Sequence, residues 1–225
     1  MARHLAIGDI HGCFAAFDSL LRYVKPRDDD VLVTLGDYCD RGPDTRAVIE
    51  LLLELDSRGV LRPIRGNHDI MMLNARKQDL PDWLDVGGKE TLASYATDGQ
   101  PGDLSAVPDS HWRFLETKLL PYFETDSHIF VHANLYPDIP LAEQPEFMLY
   151  WEKFSGQPRH ESGKMMVCGH TSQKSGLPLA TEHAVCIDTR VFGSTGWLTC
   201  LDADSGKLWQ ANNDGETRQM WLDEL

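Results

Sequence analysis

Leu5-Ala6-Ile7 is a short apolar run that stops at Gly8-Asp9, and Phe14, Phe17, Leu20, Leu21 and Val24 then follow at helical spacing. The order recurs twice. Val31 to Leu35 stops at Gly36-Asp37, with Pro43 suited to a first helical turn ahead of Val48 to Leu55. Val60 to Ile64 stops at Arg65-Gly66-Asn67-His68, ahead of a helical Ile70 to Ala75. Three strand-loop-helix units predict a parallel sheet whose ligand site lies beyond the carboxyl ends of its strands.

Residues 79–125 break this rhythm with Trp83, Gly87-Gly88, a helix-like Glu90 to Ala96, a Gly and Pro stretch at 99–102 and a second helix near His111 to Leu120. They read as a helical insert over one side of the site. Strands return at Ile129–Val131, Met165–Cys168, Ala184–Ile187, Trp197–Leu201 and Lys207–Gln210, with a last one near Gln219 to Leu222. Asp202-Ala203-Asp204-Ser205-Gly206 joins two of these as a hairpin. A chain of 225 residues, 42% apolar, has room for one core, so residues 1–225 are expected to form a single domain with its insert.

The net charge of -14, with no cluster of Lys and Arg, argues against nucleic acid as a partner. Cys13, Cys39, Cys168, Cys186 and Cys200 form no CxxC pair, so neither a disulfide framework nor a zinc knuckle is expected. Without a basic, apolar leader or a run of 18 apolar residues, the expectation is a protein of the reducing cytoplasm with no membrane partner. Oligomeric state is not legible.

The chemistry is concentrated in Gly8-Asp9-Ile10-His11-Gly12, Gly36-Asp37-Tyr38-Cys39-Asp40-Arg41-Gly42, Gly66-Asn67-His68-Asp69, Val131-His132-Ala133 and Gly169-His170-Thr171. Each follows an apolar run and releases polar side chains toward a common edge. Asp37, with two carboxylate oxygens, is the candidate bridge between two divalent ions. Asp9 and His11 reach one ion, and Asn67, His132 and His170 offer neutral ligands to the other. This donor mixture suits manganese, iron or zinc better than calcium. Such ions would lower the pKa of a bridging water and place it as hydroxide for in-line attack on phosphorus. His68 is the candidate general acid for the leaving oxygen, with Asp40 fixing its tautomer and Arg41 gripping phosphate. Asn67 faces the same phosphate.

At these residues the chain resembles the phosphoprotein phosphatase family of metallophosphoesterases, which is recognised by GDxHG, GDxxDRG, GNH with a following acid, a His after the next strand and a later GH. Ile187-Asp188-Thr189 resembles a further strand end of that family. The resemblance implies an α/β fold, the calcineurin-like β-sandwich of mixed sheets flanked by helices in αββα layers. It also implies two metals, usually manganese, and hydrolysis of phosphate monoesters, typically phosphoserine and phosphothreonine on proteins. The compact length is similar to bacterial and phage members.

Four positions depart from the pattern. Asp69 stands where protein phosphatases carry Glu, and GNHD is familiar from diadenosine tetraphosphate hydrolases; those typically lack the Asp of GDxxDRG, which is present here as Asp40. Ala133-Asn134 replaces two glycines. Lys153 stands where phage-type enzymes place a phosphate-binding Arg, and Arg190 follows Asp188-Thr189 where Gly is common. Lys153 has a second reading as a surface residue with a packed stem, and Arg65 either faces phosphate or braces its loop. Three functions follow in order: a phosphoprotein phosphatase, a hydrolase of diadenosine tetraphosphate or another small phosphate compound, and a non-catalytic phosphate-binding module. The third class usually lacks a metal ligand, and here every ligand position is filled.

Overall fold

A computed structural model describes residues 2–78, 81–97, 100–156 and 158–225. Six strands form one mixed sheet: β1 (His4–Ile7), β2 (Val31–Thr34), β3 (Leu61–Pro63), β9 (Leu198–Asp202), β10 (Lys207–Ala211) and β11 (Thr217–Trp221). A second sheet contains β4 (Tyr122–Glu124), β5 (His128–Val131), β6 (Met165–Cys168), β7 (Leu179–Ala180) and β8 (Ala184–Cys186). The helices are α1 (Phe14–Val24), α2 (Thr45–Ser57), α3 (Asn67–Ala75), α4 (Pro81–Trp83), α5 (Lys89–Ser94), α6 (Asp109–Thr117) and α7 (Glu146–Tyr150).

Strand order is β11-β10-β9-β1-β2-β3 in the first sheet and β4-β5-β6-β8-β7 in the second. The expected parallel strands are present, since β1 pairs with β2 and β2 with β3 in parallel. The sheet they belong to is mixed, because β9 pairs antiparallel to β1 and extends into the β9–β10–β11 meander.

Alternate side chains of one strand enter different cores, which explains runs too apolar to show a polar face. Leu5 and Ile7 pack with the helices over the first sheet, whereas Ala6 joins Val33, Phe130, Val167, Val185 and Leu201 between the sheets. On the far side of the second sheet, Ile129, Val131, Met166 and Cys168 pack with Leu149, Tyr150 and Phe154. The order is helices, sheet, sheet, helix.

Three expectations need correction. Tyr122–Glu124 does not belong to a helical insert; it is an edge strand antiparallel to β5. Asp44, whose carboxylate accepts the Ala47 N–H at 3.0 Å, caps α2, so Pro43 lies before the cap instead of in the first turn. Helix α3 begins at Asn67 rather than Ile70, so Asn67 and His68 sit in its first turn. The insert itself consists of α4, a π-turn over Leu84–Gly88, α5, a short 3-10 turn and α6. Residues 79, 80, 98 and 99, where its start and part of its Gly and Pro stretch fall, lie outside the described residues.

Candidate metal centre and phosphate site

The loops after β1, β2, β3, β5 and β6 meet at one edge of the sandwich, and their backbone is unusual. Among the described residues, His11, Asp37, Asp40, Arg41, His170 and Arg190 all have positive φ, between 46° and 72°. Non-glycine residues in that region cost about 1–3 kcal/mol each, and such strain gathers where side chains must be aimed. Gly66 is required for closeness: a side chain there would overlap the Asp37 carboxylate.

Asp37 is shared by two groups of donor atoms, His11–Asp37–His68 and Asp37–His132–His170, each with its atoms within 4.8 Å of one another. Its Oδ2 lies 3.5 Å from His11 Nε2, and its Oδ1 lies 3.5 Å from His132 Nε2. Asn67 Oδ1 lies 3.0 Å from His132 Nε2 and 2.9 Å from His170 Nδ1. Asp9 stands differently. Its carboxylate accepts the backbone N–H of His170, and it falls outside both groups. The side chain that clusters with His11 and Asp37 is His68.

The ring tautomers test whether cations fit. His11 Nδ1 lies 3.0 Å from the Cys39 carbonyl and His132 Nδ1 lies 2.7 Å from that of Leu35, while His170 Nε2 lies 3.1 Å from that of Trp151. A carbonyl only accepts, so each of these nitrogens carries the hydrogen. The other nitrogen of each ring faces the oxygens of Asp37 or Asn67, and in a neutral ring that nitrogen carries a lone pair. Acceptor facing acceptor is unfavourable unless positive charge lies among them, and a divalent metal would supply it. At His11 an internal cation takes part: Arg41 Nη1 lies 3.0 Å from His11 Nε2.

Electrostatics favour an ionised bridge. Burial holds His11 well below the usual imidazole range, and burial with the neighbouring His132 brings His170 down to about 4. Burial pushes Asp37 up, but the surrounding His132, His68, His11 and His170 outweigh it, and the carboxyl is held low. Asp9 goes the other way, raised by burial and then by the charges of Asp188 and Asp37. Two divalent ions would relieve that repulsion.

His68 Nδ1 donates to Asp40 Oδ2 at 2.7 Å, and its Nε2 lies 3.0 Å from Arg41 Nη2. Burial lowers its pKa, but Asp37 and the Asp40 bond together exceed that effect and leave it raised. The Arg41 guanidinium lies 4.5 Å from the centroid of the Phe192 ring, a platform that sequence spacing does not point to. Trp83 and Thr91 were also missed as partners of Asp40. Trp83 Nε1 lies 3.0 Å from Asp40 Oδ2, and Thr91 Oγ1 donates to Asp40 Oδ1 at 2.7 Å. Trp83 and the Gly87-Gly88 pair were visible, but no spacing links them to a carboxylate forty residues earlier.

A cavity of about 270 Å³ opens onto the cluster, lined by Asp37, Arg41, Asn67, His68, Lys153, His170, Thr171, Ser172 and Lys174. Lys153 thus lines the cavity, and Lys174 joins it without having been expected. Arg65 stands apart from that lining; it is half-buried, with a buried Nε lacking a hydrogen-bond partner among the described residues. The Arg190 guanidinium lies 5.6 Å from the centroid of the same Phe192 ring. At one of the two positions without glycine, the Asn134 amide donates to the Lys153 carbonyl at 3.0 Å, tying this loop to the one carrying Lys153.

Among curated proteins the chain is similar to serine/threonine-protein phosphatase 1 of Salmonella typhimurium strain LT2, with 40% identity over 89 residues, 38% of this chain and 39% of that protein. It is also similar to the symmetrical bis(5'-nucleosyl)-tetraphosphatase of Paraburkholderia phymatum, with 29% identity over 148 residues, 61% of this chain and 45% of that protein. The matches span less than half the length of either relative. The crystal structure of a protein provisionally assigned as a diadenosine tetraphosphatase shares the fold, with a TM-score of 0.68 at 22% identity over 98% of this chain and 93% of that one. With the profile of the calcineurin-like phosphoesterases matching residues 2–174, more than half its length, this chain belongs to that family.

Proposed function

We propose that the chain hydrolyses phosphate monoesters with two divalent metals, acting on phosphoserine and phosphothreonine of proteins. The observation that carries this reading is the Asp37 carboxylate shared by two groups of histidines, His11 with His68 and His132 with His170. Asp37 would bridge, with Asp9 and His11 on one side and Asn67, His132 and His170 on the other. Manganese is the favoured metal for this donor set, with iron or zinc the alternatives. Bound there, the ions supply Lewis acidity toward the phosphoryl group and acidify the attacking water.

The remaining work falls to the chain. Arg41 has a planar fork suited to two phosphoryl oxygens. An entering phosphate draws that fork away from His11 and His68, which leaves His68 Nε2 able to hold a proton for the leaving oxygen. Asp40 keeps the opposite nitrogen protonated and so fixes which one faces the substrate. Lys153 adds a point charge at the cavity wall.

A second reading, hydrolysis of a dinucleoside polyphosphate, draws on Lys153 and Lys174 together, because two lysines beyond Arg41 suit a substrate with more than one phosphate. Phosphoserine, phosphothreonine and phosphotyrosine peptides and diadenosine tetraphosphate, assayed side by side with manganese, separate the two. Higher kcat/KM on phosphoserine or phosphothreonine peptide is expected. Faster release of nucleotide would overturn the protein-substrate assignment, and no turnover of any ester would overturn the reaction.

A further inference from the structure

The insert holds more of the site than a roof would. Asp40 is fully buried, and its carboxylate meets His68 Nδ1, Thr91 Oγ1, and Trp83 Nε1 at 3.1 and 3.0 Å from its two oxygens. Thr91 closes a reciprocal clamp, because its hydroxyl donates to Asp40 Oδ1 at 2.7 Å while accepting the Asp40 backbone N–H at 2.8 Å. It also lies 3.2 Å from Thr45 Oγ1, which ties the clamp to α2. Between Trp83 and Thr91 the chain passes through Gly87, whose φ of 123° and close approach to Arg41 leave no space for a side chain. The Gly87 carbonyl accepts the Arg41 N–H at 3.3 Å.

We infer that Trp83 and Thr91 are positioning residues for proton delivery: they fix the rotation of the Asp40 carboxylate, and through it the His68 ring. This rests on the phosphatase reading above. As the ester P–O bond breaks, its electron pair stays on the leaving oxygen, which takes the proton from His68 Nε2, while water supplies the new oxygen on phosphorus. A carboxylate with two free oxygens could rotate and let the ring swing. Here the indole meets both oxygens and the threonine takes one, which leaves Oδ2 aimed at Nδ1. Packing alone would not demand the threonine hydroxyl, since a valine would fill the space of Thr91.

The test compares Trp83→Phe and Thr91→Val with the intact protein on phenyl phosphate, whose leaving oxygen needs a proton, and 2,4-dinitrophenyl phosphate, whose leaving oxygen does not. Both variants are expected to lower kcat on phenyl phosphate by roughly 10- to 100-fold. Their kcat on the dinitrophenyl ester and their KM on both are expected to change by less than about threefold. Thr91→Ser, which keeps the hydroxyl, is expected to restore the phenyl phosphate rate. Equal losses on both esters, or no loss on either, would overturn the inference. An intact protein inactive on both would instead overturn the phosphatase reading. A readout independent of turnover covers that case: the ¹⁵N-labelled indole N–H resonance removed by Trp83→Phe is expected to shift upfield in Asp40→Ala, and an unmoved resonance would contradict the bond.

Discussion

Asp69 is buried among backbone N–H groups, which changes what its presence in the GNHD segment means. Its carboxylate accepts from Gly66 at 2.8 Å, from Tyr38 at 3.0 Å and from Asp37 at 3.1 Å, so it ties the loop after β3 to the loop after β2 and caps α3. Burial and then the Asp37 charge raise its pKa to about 7. A residue so enclosed has no surface to offer a nucleotide. Asp69→Ala is therefore expected to lower stability in urea unfolding by about 1–3 kcal/mol, because buried donors lose their partner. Asp69→Glu is expected to leave the ratio of phosphopeptide to diadenosine tetraphosphate turnover unchanged; a swing in that ratio would mean the residue does act on substrate. Lys153 and Lys174 carry more weight for that choice, since both line the cavity.

At the scale of elements, the loop after β5 and helix α7 act as one support. Ala133 N–H donates to the Leu149 carbonyl at 3.0 Å and Asn134 N–H to that of Met148 at 3.0 Å, and the Asn134 side chain adds its bond to Lys153. Asn134→Ala is expected to raise KM for p-nitrophenyl phosphate by about 3- to 10-fold with little change in kcat, because Lys153 loses its anchor while the histidine cluster does not. An unchanged KM would remove Lys153 from the phosphate site. Helix α7 was not legible in the sequence because Glu146–Tyr150 is shorter than the window over which helical periodicity can be read, and β7 and β4 are shorter still. The strands that position the site were legible for the opposite reason: each is an apolar run cut off by polar residues of ligand type, with a glycine beside them after β1, β2, β3 and β6. Histidine tautomers, the Phe192 platform and the Trp83–Asp40 bond depend on contacts between distant segments, which local pattern does not encode. Six site residues with positive φ were likewise hidden, since only their neighbouring glycines hinted at tight loops.

Across the whole molecule the first sheet is held at its start by a buried charge cluster remote from the site. Asp30 accepts from Arg3 Nη2 at 2.5 Å, from Arg27 Nη2 at 2.8 Å and from the Arg27 backbone at 2.9 Å. Burial pushes its carboxyl up, but the bonds from Arg3 and Arg27 outweigh it and hold the pKa below the usual carboxylate range. The sign follows from linkage. The stabilisation is fully present above the unfolded value of about 3.9 and is lost as pH falls through the folded one. Asp30→Asn is expected to cost about 1.5–3 kcal/mol at pH 7 and less near pH 2; an equal cost at both would show that its charge is not what stabilises the fold. None of the described helices is long and apolar enough to cross a membrane. The account turns on Asp37 as the shared ligand of two metals. Anomalous diffraction at the manganese edge from crystals soaked in Mn²⁺ tests it most directly: two peaks flanking the Asp37 carboxylate, one toward His11 and one toward His132, are predicted. A single peak away from Asp37, or none, would contradict it.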